Sequence, residues 1–146
     1  MTSRIDFFKT SPEAVHALMG MENYVNQSSL DKGLLHLVKL RASQINGCAY
    51  CVDLHSSDAL KAGETERRLH AVSVWHESPF FSEKERAAFA WTEEVTLLSE
   101  THASDETYKE VIRNFTEKET VELTMAIITI NAWNRVAVSF RKVPGS

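Results

Sequence analysis

The chain has 146 residues, of which 43% are hydrophobic and 25% charged, and a formal net charge of -4. That length suits one domain, residues 1–146, with a core that needs no disulfide staples. The acidic balance and the lack of any basic run speak against nucleic acid as a partner. Met1–Asp6 shows no apolar signal core and no apolar run reaches membrane-spanning length, so no membrane partner and a cytoplasmic location are expected.

Residues 1–10 read as an irregular lead-in. Ser11-Pro12-Glu13 opens a first helix: Ser caps, Pro suits the first helical position, and Glu favours the positive end. Val15, Leu18, Met19 and Val25 give it an apolar stripe, and the polar stretch 26–29 ends it. A second helix spans about Asp31 to Asn46, with Leu34, Leu35, Val38, Ala42 and Ile45 inward and Lys32, Lys39 and Arg41 facing elsewhere. A third runs from Cys48 to about Ala62, where Gly63 is a natural stop. Thr65 to about Val74 is a short helix, followed by an aromatic connection from Trp75 to Phe81.

Ser82 and Glu85 have capping-box spacing, and the helix they open carries Ala88, Trp91, Val95 and Leu98. Ser104 opens a further helix with Tyr108, Val111, Ile112 and Phe115 inward. Thr116 and Glu119 form a second capping box. The last helix, to about Lys142, is apolar around most of its circumference, the pattern of a buried or oligomer-interface helix. Its Asn131, Asn134 and Arg135 need partners if buried, across a subunit boundary if not within the chain. No alternating stretch marks a strand, so the fold class is all-α, a compact helical bundle.

Both cysteines lie in Gln44-Ile45-Asn46-Gly47-Cys48-Ala49-Tyr50-Cys51-Val52-Asp53-Leu54-His55. Asn46-Gly47 stops one helix and the cysteines fall in the first turn of the next. Free N–H groups and the helix dipole there favour an anion, and the thiolate is the reactive form of cysteine. Cys48, Cys51 and His55 share a face through their i,i+3 and i,i+4 spacing. If the flanking helices run antiparallel, His36 and His55 both lie roughly 12–15 Å from the turn and can meet. The pattern suits thiol redox chemistry: one cysteine attacks a peroxide oxygen or disulfide sulfur, the other closes the bridge, and His55 takes a proton. Two alternatives stand beside it. The cysteines are small buried hydrophobes with a satisfied core histidine, or Cys48, Cys51, His55 and His36 ligate zinc in a structural module. Tyr50 either lines an entrance to the thiols or is a packed aromatic; Asp58 reads as a solvated helix-face carboxylate rather than a residue orienting His55, and His76 as a surface-loop histidine rather than a border of the pocket; Trp91 and Trp133 read as core.

The run from Leu40 to His55 resembles the core of the AhpD-like alkylhydroperoxidases, within the carboxymuconolactone decarboxylase family. Trp75–Pro79, Phe89-Ala90-Trp91 and Asn131–Arg135 extend the resemblance over most of the chain. It implies an all-helical, AhpD-like fold and thiol-dependent peroxidase activity on hydrogen peroxide or small organic hydroperoxides. It also implies an outside dithiol or disulfide-carrying protein as reductant, and a homo-oligomer, commonly a trimer or hexamer. No metal, flavin or haem cofactor is expected. By the same resemblance Cys51 is the attacking cysteine, Cys48 its disulfide partner and His55 the proton relay. The family's glutamate, twelve residues before the first cysteine, is replaced by His36, and the histidine often found before the second cysteine by Tyr50. The runner-up function is a disulfide reductase or redox-sensing member of the same fold.

Overall fold

The computed structural model describes residues 1–146 and contains helices and turns, with no strand. The helices are α1 (Phe7–Thr10), α2 (Pro12–Asn26), α3 (Lys32–Ile45), α4 (Ala49–Lys61), α5 (Glu66–Ala71), α6 (Glu83–Thr96), α7 (Leu98–Thr101), α8 (Asp105–Asn114) and α9 (Glu117–Ser139), with a 3-10 segment, Val72–Glu77, after α5. Local signals set most starts. Asp31, Thr65 and Ser104 each accept the backbone N–H three residues on. The capping boxes of Ser82 with Glu85 and Thr116 with Glu119 are both closed.

Helix α3 is the centre, packing against α4, α6 and α9. On one side Leu34, Leu35 and Val38 meet Trp91 of α6 and Leu123 and Ile127 of α9. On the other, Leu37 and Leu40 meet Ala59 of α4 and the aromatic cluster of Trp75, Phe81 and Phe89. The Phe81 ring stands edge-on to Phe89 at 5.0 Å, an arrangement favoured by the ring quadrupoles. A third, small cluster consists of Cys48, Cys51 and Ala137.

Several expectations are corrected. The lead-in holds a short helix, α1, capped by the Asp6 side chain. Ser11 precedes α2 but its hydroxyl makes no capping bond, because α1 runs almost directly into α2. The aromatic connection is partly helical. Leu98 lies beyond the end of α6 and is exposed, since the chain turns at Leu97. Tyr108 and Ile112 are exposed while Val111 and Phe115 are buried, because α8 touches the bundle along a narrow stripe. Helix α9 ends at Ser139, and Val121, Ile128 and Val138 on it are exposed rather than buried.

Phe89 is fully buried between Trp75 and Phe81. Phe89→Ala is expected to cost about 3–5 kcal/mol of stability, read as a lower urea midpoint.

Candidate active site

The turn between α3 and α4 is a hydrogen-bonded cap. Gly47 N–H donates to Gln44 O at 3.2 Å and Cys48 N–H to Ser43 O at 3.0 Å, which satisfies the last carbonyls of α3. Gly47 has φ of 64°, a left-handed conformation that a side chain resists. Cys48 then caps α4, its Sγ accepting from Cys51 N–H at 3.2 Å. One residue thus closes α3 and opens α4.

Helix α9 holds this turn in place. The Asn46 amide donates to Asn131 Oδ1 at 3.0 Å and Asn134 Oδ1 at 2.9 Å. Asn134 donates onward to Ser43 Oγ, and Asn131 to Thr96 Oγ1. Arg135 donates to Asn131 Oδ1 at 2.7 Å. The polar residues of α9 therefore find partners within the chain, and no subunit boundary is needed to satisfy them.

Cys48 and Cys51 form a disulfide with a Cα–Cα distance of 5.2 Å. Both are buried, at 1% and 3% exposure, but differently. Cys51 walls a cavity of about 220 Å³; Cys48 lies behind it. The cavity is largely apolar: Phe7 and Phe8 of α1, Met19 of α2, Tyr50 and Leu54 of α4, and Trp133 of α9. Its polar residues are Glu22 and His55. Tyr50 thus lines the approach to the sulfur, as its position in the sequence suggested. Trp133, read as core, is a cavity wall instead, because α9 presents that face to α2 and α4.

His55 is half-buried and its pKa is pushed down to about 4, first by burial and next by the charge of Lys39. Glu22 and Asp58 act in the opposite direction, and His36 adds a small further lowering. The imidazole is neutral at physiological pH and can accept a proton. His36 lines a different recess with Gly33, Ala59 and Glu64; its Nδ1 is buried without a partner, and no hydrogen bond joins it to His55. Burial and Lys39 lower its pKa too. Asp58 pairs with Lys61 at 3.8 Å. His76 is largely exposed and faces Glu93, away from the cavity. No group of three His, Cys, Asp or Glu is arranged to hold a metal ion, so the four donors considered for zinc do not converge.

The carboxylate in the cavity is Glu22, which lies outside the cysteine motif. Lys39 is buried rather than facing outward, and its Nζ donates to Glu22 Oε1 at 2.9 Å. Trp133 Nε1–H donates to Glu22 Oε2 at 3.1 Å. A signal was present: Glu22 falls on the apolar stripe of α2, four residues after Leu18 and three before Val25. A charge on such a stripe needs a buried partner.

Two outcomes follow from these charges. Glu22→Ala leaves Lys39 buried and unpaired and is expected to cost about 3 kcal/mol; adding Lys39→Met restores most of that stability in urea denaturation. The unfolded state protonates His55 below its ordinary 6.5, whereas the native state resists to about 4. Its contribution to stability is complete above pH 6.5 and is lost as pH falls toward 4. Urea midpoints across that window should decline less steeply in His55→Leu.

The comparisons agree with this fold. The model of the carboxymuconolactone decarboxylase family matches residues 12–94. The chain is 40% identical over 139 residues to the uncharacterized protein YdfG of Bacillus subtilis (strain 168), covering 95% of each. It is 31% identical over 101 residues to the uncharacterized protein YnjA of Escherichia coli (strain K12), covering 69% of this chain and 55% of that protein. A crystal structure from Agrobacterium tumefaciens, described as a protein of unknown function and candidate antioxidant defence protein AhpD, superposes with a TM-score of 0.97 at 45% identity over 99% of both chains. The debrominase Bmp8 shares the fold, with a TM-score of 0.81 at 21% identity over 94% of this chain and 75% of that one. With its AhpD-like all-helical fold and its Cys-x-x-Cys pair at a helix start, the chain belongs to the carboxymuconolactone decarboxylase family.

Proposed function

We propose that this protein is a cysteine-based peroxidase that reduces hydrogen peroxide or small organic hydroperoxides and is recycled by an outside dithiol. The observation that carries the reading is the asymmetry of the pair: Cys51 opens on the cavity that also holds the neutral His55, while Cys48 waits behind it at the helix cap. The similarity to a candidate antioxidant defence protein supports it.

In the reduced protein His55 accepts the Cys51 proton, directly or through one water. The Cys51 thiolate attacks the outer peroxide oxygen. An S–O bond forms, the O–O bond breaks, and the departing alkoxide takes a proton and leaves as alcohol. Cys48, whose Sγ accepts the Cys51 N–H in the closed pair, then attacks Cys51 as a thiolate and expels water, forming the Cys48–Cys51 disulfide. The outside dithiol returns two electrons and two protons by exchange through a mixed disulfide. Glu22 supplies the carboxylate beside His55 that His36 cannot, its charge favouring the imidazolium once formed.

The depth of both sulfurs favours a second reading, a redox-sensing pair that closes once and reopens slowly. Turnover with a recycling dithiol decides between the two.

Treating reduced protein with one equivalent of peroxide should remove two thiols. Cys48→Ser should stop at a sulfenic acid on Cys51 that dimedone traps, and Cys51→Ser should not react. Thiols that survive stoichiometric peroxide in the folded protein would overturn the proposal. His55→Gln is expected to slow thiol oxidation by about 100-fold, whereas His36→Glu leaves the rate close to that of the parent.

A further inference from the structure

As it stands, the disulfide is out of reach of another protein. Cys48 and Cys51 are 1% and 3% exposed, and of the two only Cys51 borders the cavity of about 220 Å³. Thiol–disulfide exchange brings the attacking sulfur into contact with one sulfur of the bond. A peroxide of a few atoms fits the cavity, since a water's share of the liquid is about 30 Å³. A thiol carried on the surface of a protein does not.

The cavity is walled by α1, α2, α4 and α9. The last three are anchored in the bundle by buried residues, whereas α1 has none. Helix α1 is also jointed at one end. Pro12 has no N–H with which to carry α1 on into α2. Ser11, between them, lies outside the helical region, with φ of -141° and ψ of 76°, and its side chain makes no capping bond. The other end is fastened to the end of α9. Arg4 N–H donates to Phe140 O at 3.0 Å and Arg4 Nη1 to Ser139 O at 2.9 Å. The Phe7 ring lies 5.8 Å from that of Phe140, and Lys142 Nζ stands 5.1 Å from the ring centre of Phe8. The Arg4–Ser139 bond is exposed, so water competes for both of its partners. A segment without buried residues, held by such bonds, opens before the bundle does.

We propose that residues 4–10 form a strap, hinged at Ser11 and latched by Arg4 to the end of α9, that gates the disulfide by size. Closed, it passes small peroxides; open, it admits a protein dithiol to Cys51 Sγ. In the open state a thiolate of that dithiol attacks Cys51. An intermolecular S–S bond forms, the Cys48–Cys51 bond breaks, and Cys48 leaves as a thiolate that takes a proton. The second thiol of the reductant then attacks its own partner in the mixed disulfide and frees Cys51. The reductant ends as a disulfide, and this protein has gained two electrons and two protons. The gate rests on the thiol redox reading, enzyme or sensor, and not on peroxide as the oxidant.

The test mixes the oxidised protein with dithiothreitol or with reduced thioredoxin, a protein dithiol. Quenching with iodoacetamide and weighing the protein counts the freed thiols. Arg4→Ala should raise the thioredoxin rate about fivefold and keep the dithiothreitol rate within about twofold, as loss of one exposed hydrogen bond predicts. Arg4→Lys, which still donates to Ser139 O, should stay near the parent. Phe140→Ala, which removes the ring against Phe7, should act as Arg4→Ala does. In native-state hydrogen exchange, the N–H groups of Arg4 and Ser11 should exchange at least about tenfold faster than those of Cys48 and Val52. Equal acceleration of both reductants in Arg4→Ala, or of neither, overturns the proposal. So do strap N–H groups as protected as that of Cys48. Exposing the reduced protein to hydrogen peroxide separates the gate from the peroxidase. Thiols that oxidise, in a protein whose variants are reduced at the parental rate, refute the gate and leave the peroxidase. Variants that speed thioredoxin alone, in a protein whose thiols ignore peroxide, support the gate and remove the peroxidase.

Discussion

The cap at Asn46-Gly47-Cys48 is the constraint from which the site follows. The last carbonyls of α3 need donors, and the N–H groups of Gly47 and Cys48 are the two within reach. Meeting that need fixes the backbone at Cys48 before its side chain does anything. Because the same residue caps α4, its sulfur is aimed at the first turn of the next helix, where Cys51 stands one turn on. The amide of Asn46 ties the turn to Asn131 and Asn134 of α9, so the helix that closes the bundle also fixes the position of the sulfurs.

Around this point the molecule arranges its charges in a largely apolar setting. Lys39 and Glu22 are both largely buried and answer each other, and Trp133 completes the carboxylate's partners. An isolated charge at either position would be expensive. The pair does more than satisfy itself: Lys39 helps hold His55 neutral while Glu22 pulls the other way. The pKa of His55 is therefore set first by burial and then by charges from Lys39 of α3 and Glu22 of α2, with Asp58 of its own helix acting alongside Glu22. The wall opposite comes from α1, a four-residue helix without a buried residue, held by contacts such as Phe7 on Phe140.

His36 and His55 are separated by this arrangement. Read along the chain, His36 lies at a position from which it can meet His55. In space it faces the recess of Gly33, Ala59 and Glu64, and the carboxylate near His55 arrives from α2. Glu22 and His55 line one cavity, which His36 does not reach.

The sequence by itself determined the longer helices, most of their starts and the cysteine pair; the short α1 and α7 were not legible. Capping residues act on N–H groups three residues away, the apolar period repeats every turn, and Asn-Gly ends a helix wherever it lies. Cys48, Cys51 and His55 are bound by the same short range, so their nearness on α4 was legible. Only the tertiary structure decided which sulfur meets the cavity, that Glu22 and Lys39 pair inside, and that Trp133 is a wall rather than core. Trp133 and Glu22 are 111 residues apart in the chain and Asn46 and Asn134 are 88 apart. No local propensity encodes such partners; they are chosen when α9 packs across α2 and α3, because only then does each buried polar group find what it must bond.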